Sequence, residues 1–148
     1  VDGDDILCSP EGIYDVYEQL SSGLDYIKTI NYPFGMNSMG FSRKYLKNRL
    51  NNVGSSKLET GWGWIFDDKD CKYLKSKNLL DTRLRFTLDY DKDFLFFSKI
   101  IESMININSQ SSESIVNFVK QNKIFTENMD LNEEYWENFN NLQSMEKQ

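Results

Sequence analysis

Apolar residues recur along the chain at two periods, and the switch between them marks the expected elements. Ser9-Pro10-Glu11 reads as a helix start, with a cap, a first-turn proline and an acid. Ile13, Val16, Tyr17 and Leu20 follow at helical spacing, and Ser21-Ser22-Gly23 ends the helix. Residues 24–30 alternate as a strand does. "NYPFGMNSMGF" is rich in turn residues. Ser42 caps a helix through about Asn48, carrying Tyr45, Leu46 and Leu50 nearby. "NNVGSS" reads as a loop and "LETGWGWIFDD" as an extended stretch. "KYLKSKNLLDTRLRFTLDY" ends in a strand, with Leu84, Phe86 and Leu88 on one face and Arg85, Thr87 and Asp89 on the other. After "DYDKD", Phe94, Phe97, Ile100, Ile101 and Met104 form a helical stripe. "NINSQ" is a loop. Ser112 or Ser114 starts a further helix through Ile115, Phe118 and Val119. The stretch 124–148 is an acidic, Asn-rich tail helix anchored by Tyr135, Trp136 and Phe139, fraying near Met145. Strands alternating with helices predict an α/β domain.

Composition narrows the chemistry. The net charge of −6 over 148 residues argues against a nucleic-acid binder, which needs a basic stripe. With no His and only Cys8 and Cys71, a zinc site is not expected, and both thiols read as reduced. Ser-His-Asp and Cys-His catalysis within the chain are excluded for the same reason. No apolar run approaches a membrane span of about 18 residues, and a cytoplasmic protein is the expectation.

What remains is oxygen chemistry, and it gathers in two acidic clusters. "VDGDDILC" crowds Asp2, Asp4 and Asp5 ahead of the first helix; "TLDYDKD" sets Asp89, Asp91 and Asp93 between a strand and a helix. That is where open α/β sheets place ligands, and two strand-end carboxylates can converge on a hard cation such as Mg²⁺. Asp runs before helices are often N-caps and first-turn charges with no ligand, and for either cluster alone that is the commoner case. An EF-hand does not fit, because Ile6 and Ile13 stand where the loop needs oxygen. "DGD" also matches the short acidic signature of metal-dependent glycosyltransferases. Trp62 and Trp64 read as strand packing or as sugar-stacking rings. Arg83 and Arg85 either pair with the second cluster or grip a phosphate or carboxylate.

Several segments together resemble a known family. "VDGDDILCSPE", "NYPFGMNSMGF", "RFTLDYDKD" followed by "FLFFSKIIESM", and "FVKQNKIFTEN" occur in the order and spacing of the cytidylyltransferase family of spore coat polysaccharide biosynthesis protein F, related to the CMP-KDO synthetases. The resemblance spans most of residues 1–130. It implies a three-layer α/β/α Rossmann-like nucleotide-diphospho-sugar transferase fold, of which residues 1–148 are the C-terminal part. It implies transfer of CMP from CTP to a sugar with Mg²⁺, for surface polysaccharide synthesis. Asp4 and Asp89 would be the metal and catalytic carboxylates. Gly35, Asn37 and Arg85 would lie near the sugar or a homodimer contact. Two departures stand out: Met39 replaces a frequent acid, and the family's N-terminal half, with its phosphate-cradling loop, is not represented. On this reading residues 1–5 are a strand end cut from its parent sheet. A non-catalytic interaction module and a glycosyltransferase of the same fold remain the alternatives.

Overall fold

The computed structural model describes residues 2–52 and 61–146. Helix α1 (Pro10–Ser21) starts where the cap signal puts it, with Ser9 Oγ accepting from the Gly12 N–H at 3.0 Å. Strands β1 (Tyr26–Ile30), β2 (Met39–Phe41) and β3 (Lys72–Lys75) form one sheet in the order β2-β1-β3. β1 runs antiparallel to β2, with Ile27 opposite Gly40, and parallel to β3, with Lys28 opposite Tyr73. The remaining helices are α2 (Arg43–Leu50), α3 (Asp91–Ser103), α4 (Ser112–Gln121) and α5 (Leu131–Glu146). The described residues therefore make a mixed α/β unit with five α-helices and a small mixed sheet. No described helix is long and apolar enough to cross a membrane.

The sheet is covered on both faces. Alternation along β1 and β2 sends Gly40 one way and Met39 and Phe41 the other. α1 lies on the Gly40 side, so close that a Cβ there would meet Val16 Cγ1 at 2.4 Å. On the opposite side Tyr26 stacks with Tyr45 of α2 at 5.3 Å and with Phe66 at 5.1 Å. A second, larger core lies away from the sheet. There α3 contributes Phe96, Phe97 and Ile100, and α4 contributes Ile115, Val116 and Val119; both close over Met36, Leu84 and Phe86.

Several expected elements differ. Residues 84–88 keep the alternation: Leu84 and Phe86 are core, and Arg85 and Thr87 face the other way. They form no strand, however, only a bridge between Arg85 and Phe34. The segment is held by isolated bonds, Phe86 N–H to Phe34 O at 2.7 Å and Leu88 N–H to Asp4 O at 3.1 Å. Residues 2–5 are likewise a turn rather than a strand end, closed by the Asp5 N–H to Asp2 O bond. Gly61–Ile65 is a 3-10 turn, not an extended stretch. The loop expected at 51–56, the start of that stretch, and the Trp62 side chain fall largely or wholly outside the described residues. In α3 the buried face is turned from the expected one: Phe96 is fully buried, while Phe94 and Ile101 are exposed. In α1 the inward row is Gly12, Val16 and the half-buried Leu20, leaving Ile13 and Tyr17 in solvent. β2 and β3 lie in stretches read only as turn and connection. α5 matches the expected tail helix, preceded by a 3-10 turn at Ile124–Glu127.

The turn of α3 follows from its first residues. Asp93, fully buried, accepts from the N–H groups of Asp89 (3.0 Å) and Tyr90 (3.1 Å). It also takes Arg85 Nε at 3.0 Å and Asn128 Nδ2 at 2.8 Å. A carboxylate so tied cannot rotate outward, and Phe96 and Phe97 are carried inward with it. Breaking a buried ion pair costs about 3–5 kcal/mol; without Asp93 the buried guanidinium keeps only Asp89, and Asn128 and two backbone N–H groups lose their acceptor. Asp93→Ala is therefore expected to lose about 3–5 kcal/mol in urea unfolding, a large share of the roughly 5–15 kcal/mol of an ordinary domain. A loss under about 1 kcal/mol would show that the pair does not hold the fold.

Candidate metal and substrate site

Asp4 and Asp89, 85 residues apart in sequence, meet at one hydroxyl. Thr87 Oγ1 lies 3.3 Å from Asp4 Oδ2 and 3.2 Å from Asp89 Oδ2. The Leu88–Asp4 backbone bond brings the N-terminal turn to this segment. Gly35 allows the segment to run where it does: at φ +87°, it presses on the chain so that a Cβ would stand 2.2 Å from Phe86 O. Only glycine accepts both the left-handed backbone and the approach.

The first cluster is compact. One carboxylate oxygen each from Asp2, Asp4 and Asp5 lie within 4.8 Å of one another. Burial, then the charges of Asp4 and Asp2, push the Asp5 carboxyl up to about 7, against a hydrogen bond from Thr87. Burial also raises Asp89, outweighing the Arg85 charge and the Thr87 hydrogen bond. Crowded, partly desolvated carboxylates with hard oxygen donors suit a divalent cation that keeps several waters. Among the described residues, Asp2, Asp4 and Asp5 are the carboxylates close enough together to hold one, and Asp89 meets Asp4 through the Thr87 hydroxyl.

The second cluster does not act as one unit. Asp89 faces Asp4, Asp93 is sealed in the Arg85 network, and Asp91 is exposed on the first turn of α3. Arg85 is 1% exposed, and its Nη2 reaches Asp89 Oδ2 at 2.5 Å and Asp93 Oδ2 at 3.2 Å. Arg83 instead forms a fork on Asp81, with two contacts of 2.8 Å. Ion pairing thus accounts for Arg83 and for Nε and Nη2 of Arg85, while Arg85 Nη1 is buried with no hydrogen-bond partner among the described residues. Asn37 Oδ1 accepts from the Gly35 N–H at 3.2 Å, and its residue borders a cleft of about 200 Å³. Asp2, Asp5, Lys28, Ser38 and Met39 line the same cleft. This is below the roughly 300–1,000 Å³ of drug-sized sites, room for one small ring rather than a nucleotide. A larger groove of about 620 Å³ runs between α1 and β3, away from both clusters.

In the sequence Tyr135 reads only as an anchor of the tail. Its ring lies 4.7 Å from the Arg85 guanidinium and packs on Phe34 at 5.1 Å. Burial raises its phenol, and Asp89, Asp4 and Asp5 add to the shift. The tail helix therefore lies over the acids. The i, i+4 spacing of Leu131, Tyr135 and Phe139 marks its inward face, but nothing local names the partner.

No family model, curated protein or solved structure matches the chain.

Asp5 gives the site a pH signature. Its folded-state value lies above its unfolded value of 3.8, so the fold binds a proton that the unfolded chain has released. Its contribution to stability is full below about pH 4 and is lost as pH rises to about 7. Asp5→Asn is expected to flatten this part of the stability curve relative to wild type. Mg²⁺ is expected to raise the melting temperature more at about pH 8 than at about pH 5.5. Parallel wild-type and Asp5→Asn curves between those limits would contradict the shift.

Proposed function

We propose that residues 1–148 belong to a Mg²⁺-dependent sugar nucleotidyltransferase, of the cytidylyltransferase kind their motifs resemble, with the three-layer α/β/α architecture of that family. The observation that carries the reading is the meeting of Asp4 and Asp89 at Thr87. The helices on both faces of a sheet with a parallel pair are compatible with the proposed architecture. In this reading the sugar hydroxyl oxygen bonds to the α-phosphorus of CTP, the bond to the β-phosphate breaks, and pyrophosphate leaves. Bound there, Mg²⁺ would offset phosphate charge and lower the barrier to alkoxide formation. Asp4 and Asp89 hold the cation, and the cleft beside Asn37 takes the sugar. Arg85 contributes by fixing Asp89 rather than by touching substrate. Triphosphate binding is assigned to a nucleotide-binding half outside these residues, and the product would feed surface polysaccharide synthesis in the cytoplasm.

A non-catalytic interaction module is the second reading. It is favoured by the internal use of Arg85, whose guanidinium is covered by Phe34, Tyr90 and Tyr135. Pyrophosphate release by the full-length protein, with CTP, Mg²⁺ and a panel of sugars, separates the two. Sugar-dependent release is expected, and Asp4→Asn or Asp89→Asn should lower it at least about 100-fold without unfolding the chain. No release with any of the common nucleoside triphosphates, from folded protein, would favour the module. Transfer from a nucleotide-sugar instead would favour the glycosyltransferase.

A further inference from the structure

The sheet has two edges, and they differ. Along β2 every residue is half-buried. Along β3 Lys72, Tyr73 and Lys75 are exposed and only Leu74 is half-buried. Among the described strands β3 pairs with β1 alone. In a parallel ladder a residue sends its N–H and C=O to the same side, and successive residues alternate sides. The Ser76 N–H donates to Ile30 O at 3.0 Å, so Leu74 and Lys72 face β1 as well. Tyr73 and Lys75 therefore turn their backbone donors and acceptors outward, as an edge strand does. They open onto the groove of about 620 Å³ between α1 and β3, which all four residues of β3 line.

The side chains of this groove select what could lie there. Lys77 pairs with Asp15 at 3.0 Å, whereas no ion pair engages Lys72 or Lys75 among the described residues. With Glu18 also in the lining, three lysines stand against two acids, a positive strip on a chain of net charge −6. Two copies joined edge to edge would set these lysines against one another, which is unfavourable. A strand of opposite charge meets no such penalty. Tyr14, Tyr73 and Leu74 supply apolar surface in the same groove, Tyr14 being 61% exposed and Tyr73 41%.

We propose that the outer edge of β3 is a docking site for an extended acidic segment of a partner protein, which adds to the sheet as a further strand. Backbone bonds to Tyr73 and Lys75 give affinity, and Lys72 and Lys75 select acidic side chains. The groove lies away from both acidic clusters, so the proposal stands apart from the metal reading.

The test is fluorescence anisotropy of a labelled peptide of about six residues alternating glutamate and valine, titrated with the full chain beside its lysine–valine counterpart. The variants are the double change Lys72→Glu with Lys75→Glu, then Lys75→Ala and Lys75→Pro, each checked for folding by circular dichroism. An edge strand tolerates proline where the N–H faces solvent. The acidic peptide is expected to bind at least about 10-fold tighter than the basic one. The double variant is expected to lose about 10-fold, because its cross-strand pairs turn from opposite to like charge. Lys75→Pro, which alone loses the outward N–H, is expected to bind about 2–10-fold more weakly than Lys75→Ala. Should Lys75→Pro not fold, slower amide exchange at Tyr73 and Lys75 of the wild type on adding the peptide reads the same bonds. No binding of the acidic peptide, equal binding of both peptides, or unchanged affinity in the double variant overturns the acidic partner. Equal binding by Lys75→Pro and Lys75→Ala, or unslowed exchange at Tyr73 and Lys75, overturns the added strand. A dimer in sedimentation that the double variant disrupts would make the occupant a second copy and overturn the proposal too.

Discussion

A single guanidinium organises the second half of the molecule. Arg85 is buried with Asp93, and losing Asp93 leaves the buried guanidinium with Asp89 alone, while losing Arg85 leaves the buried Asp93 carboxylate without a cation. Asp93 collects Arg85 Nε, two backbone N–H groups and Asn128 Nδ2, so it closes the start of α3 and ties in the approach to α5. The rings of Phe34, Tyr90 and Tyr135 lie against the guanidinium and supply cation–π attraction where water is excluded. α3, α5 and the segment 84–88 thus meet at one ion pair.

The acids inherit their placement from this hub. Arg85 holds Asp89, Thr87 spans from Asp89 to Asp4, and Gly35 lets the segment 84–88 lie against the turn at Phe34. The result is a set in which burial and neighbouring carboxylates make Asp5, most plainly, and Asp89 reluctant to ionise. Such a set is costly for the empty fold and is relieved by a proton or a cation. A buried cationic hub stabilises one side of the site, while carboxylate repulsion destabilises the other.

Local signals were legible in the sequence where one residue and its near neighbours decide the outcome. Ser9-Pro10-Glu11 starts α1, and the alternation of residues 84–89 sorts the apolar core from the Arg85 and Thr87 side, whereas the expected nearness of Asp4 and Asp89 comes from the family resemblance and from no local signal. The lost parts depend on distant partners. β3 is four residues of Lys-Tyr-Leu-Lys with little apolar patterning, and it is a strand because β1 lies beside it. The face of α3 was misjudged because the buried Asp93 overrides the apolar count of Phe94 and Ile101. Residues 84–88 alternate as a strand but make only scattered backbone bonds. Tyr135 belongs over the acids through Arg85, 50 residues away, a contact no spacing rule contains.

NMR of the Arg85 side chain tests the closed hub most directly. The Nε proton, bonded to Asp93 and covered by three rings, is expected to exchange slowly with water. Its resonance should stay unmoved when inorganic phosphate or CTP is added. Exchange as fast as that of a free arginine, or a shift on adding either anion, would show that the guanidinium is open to ligand and would contradict the account.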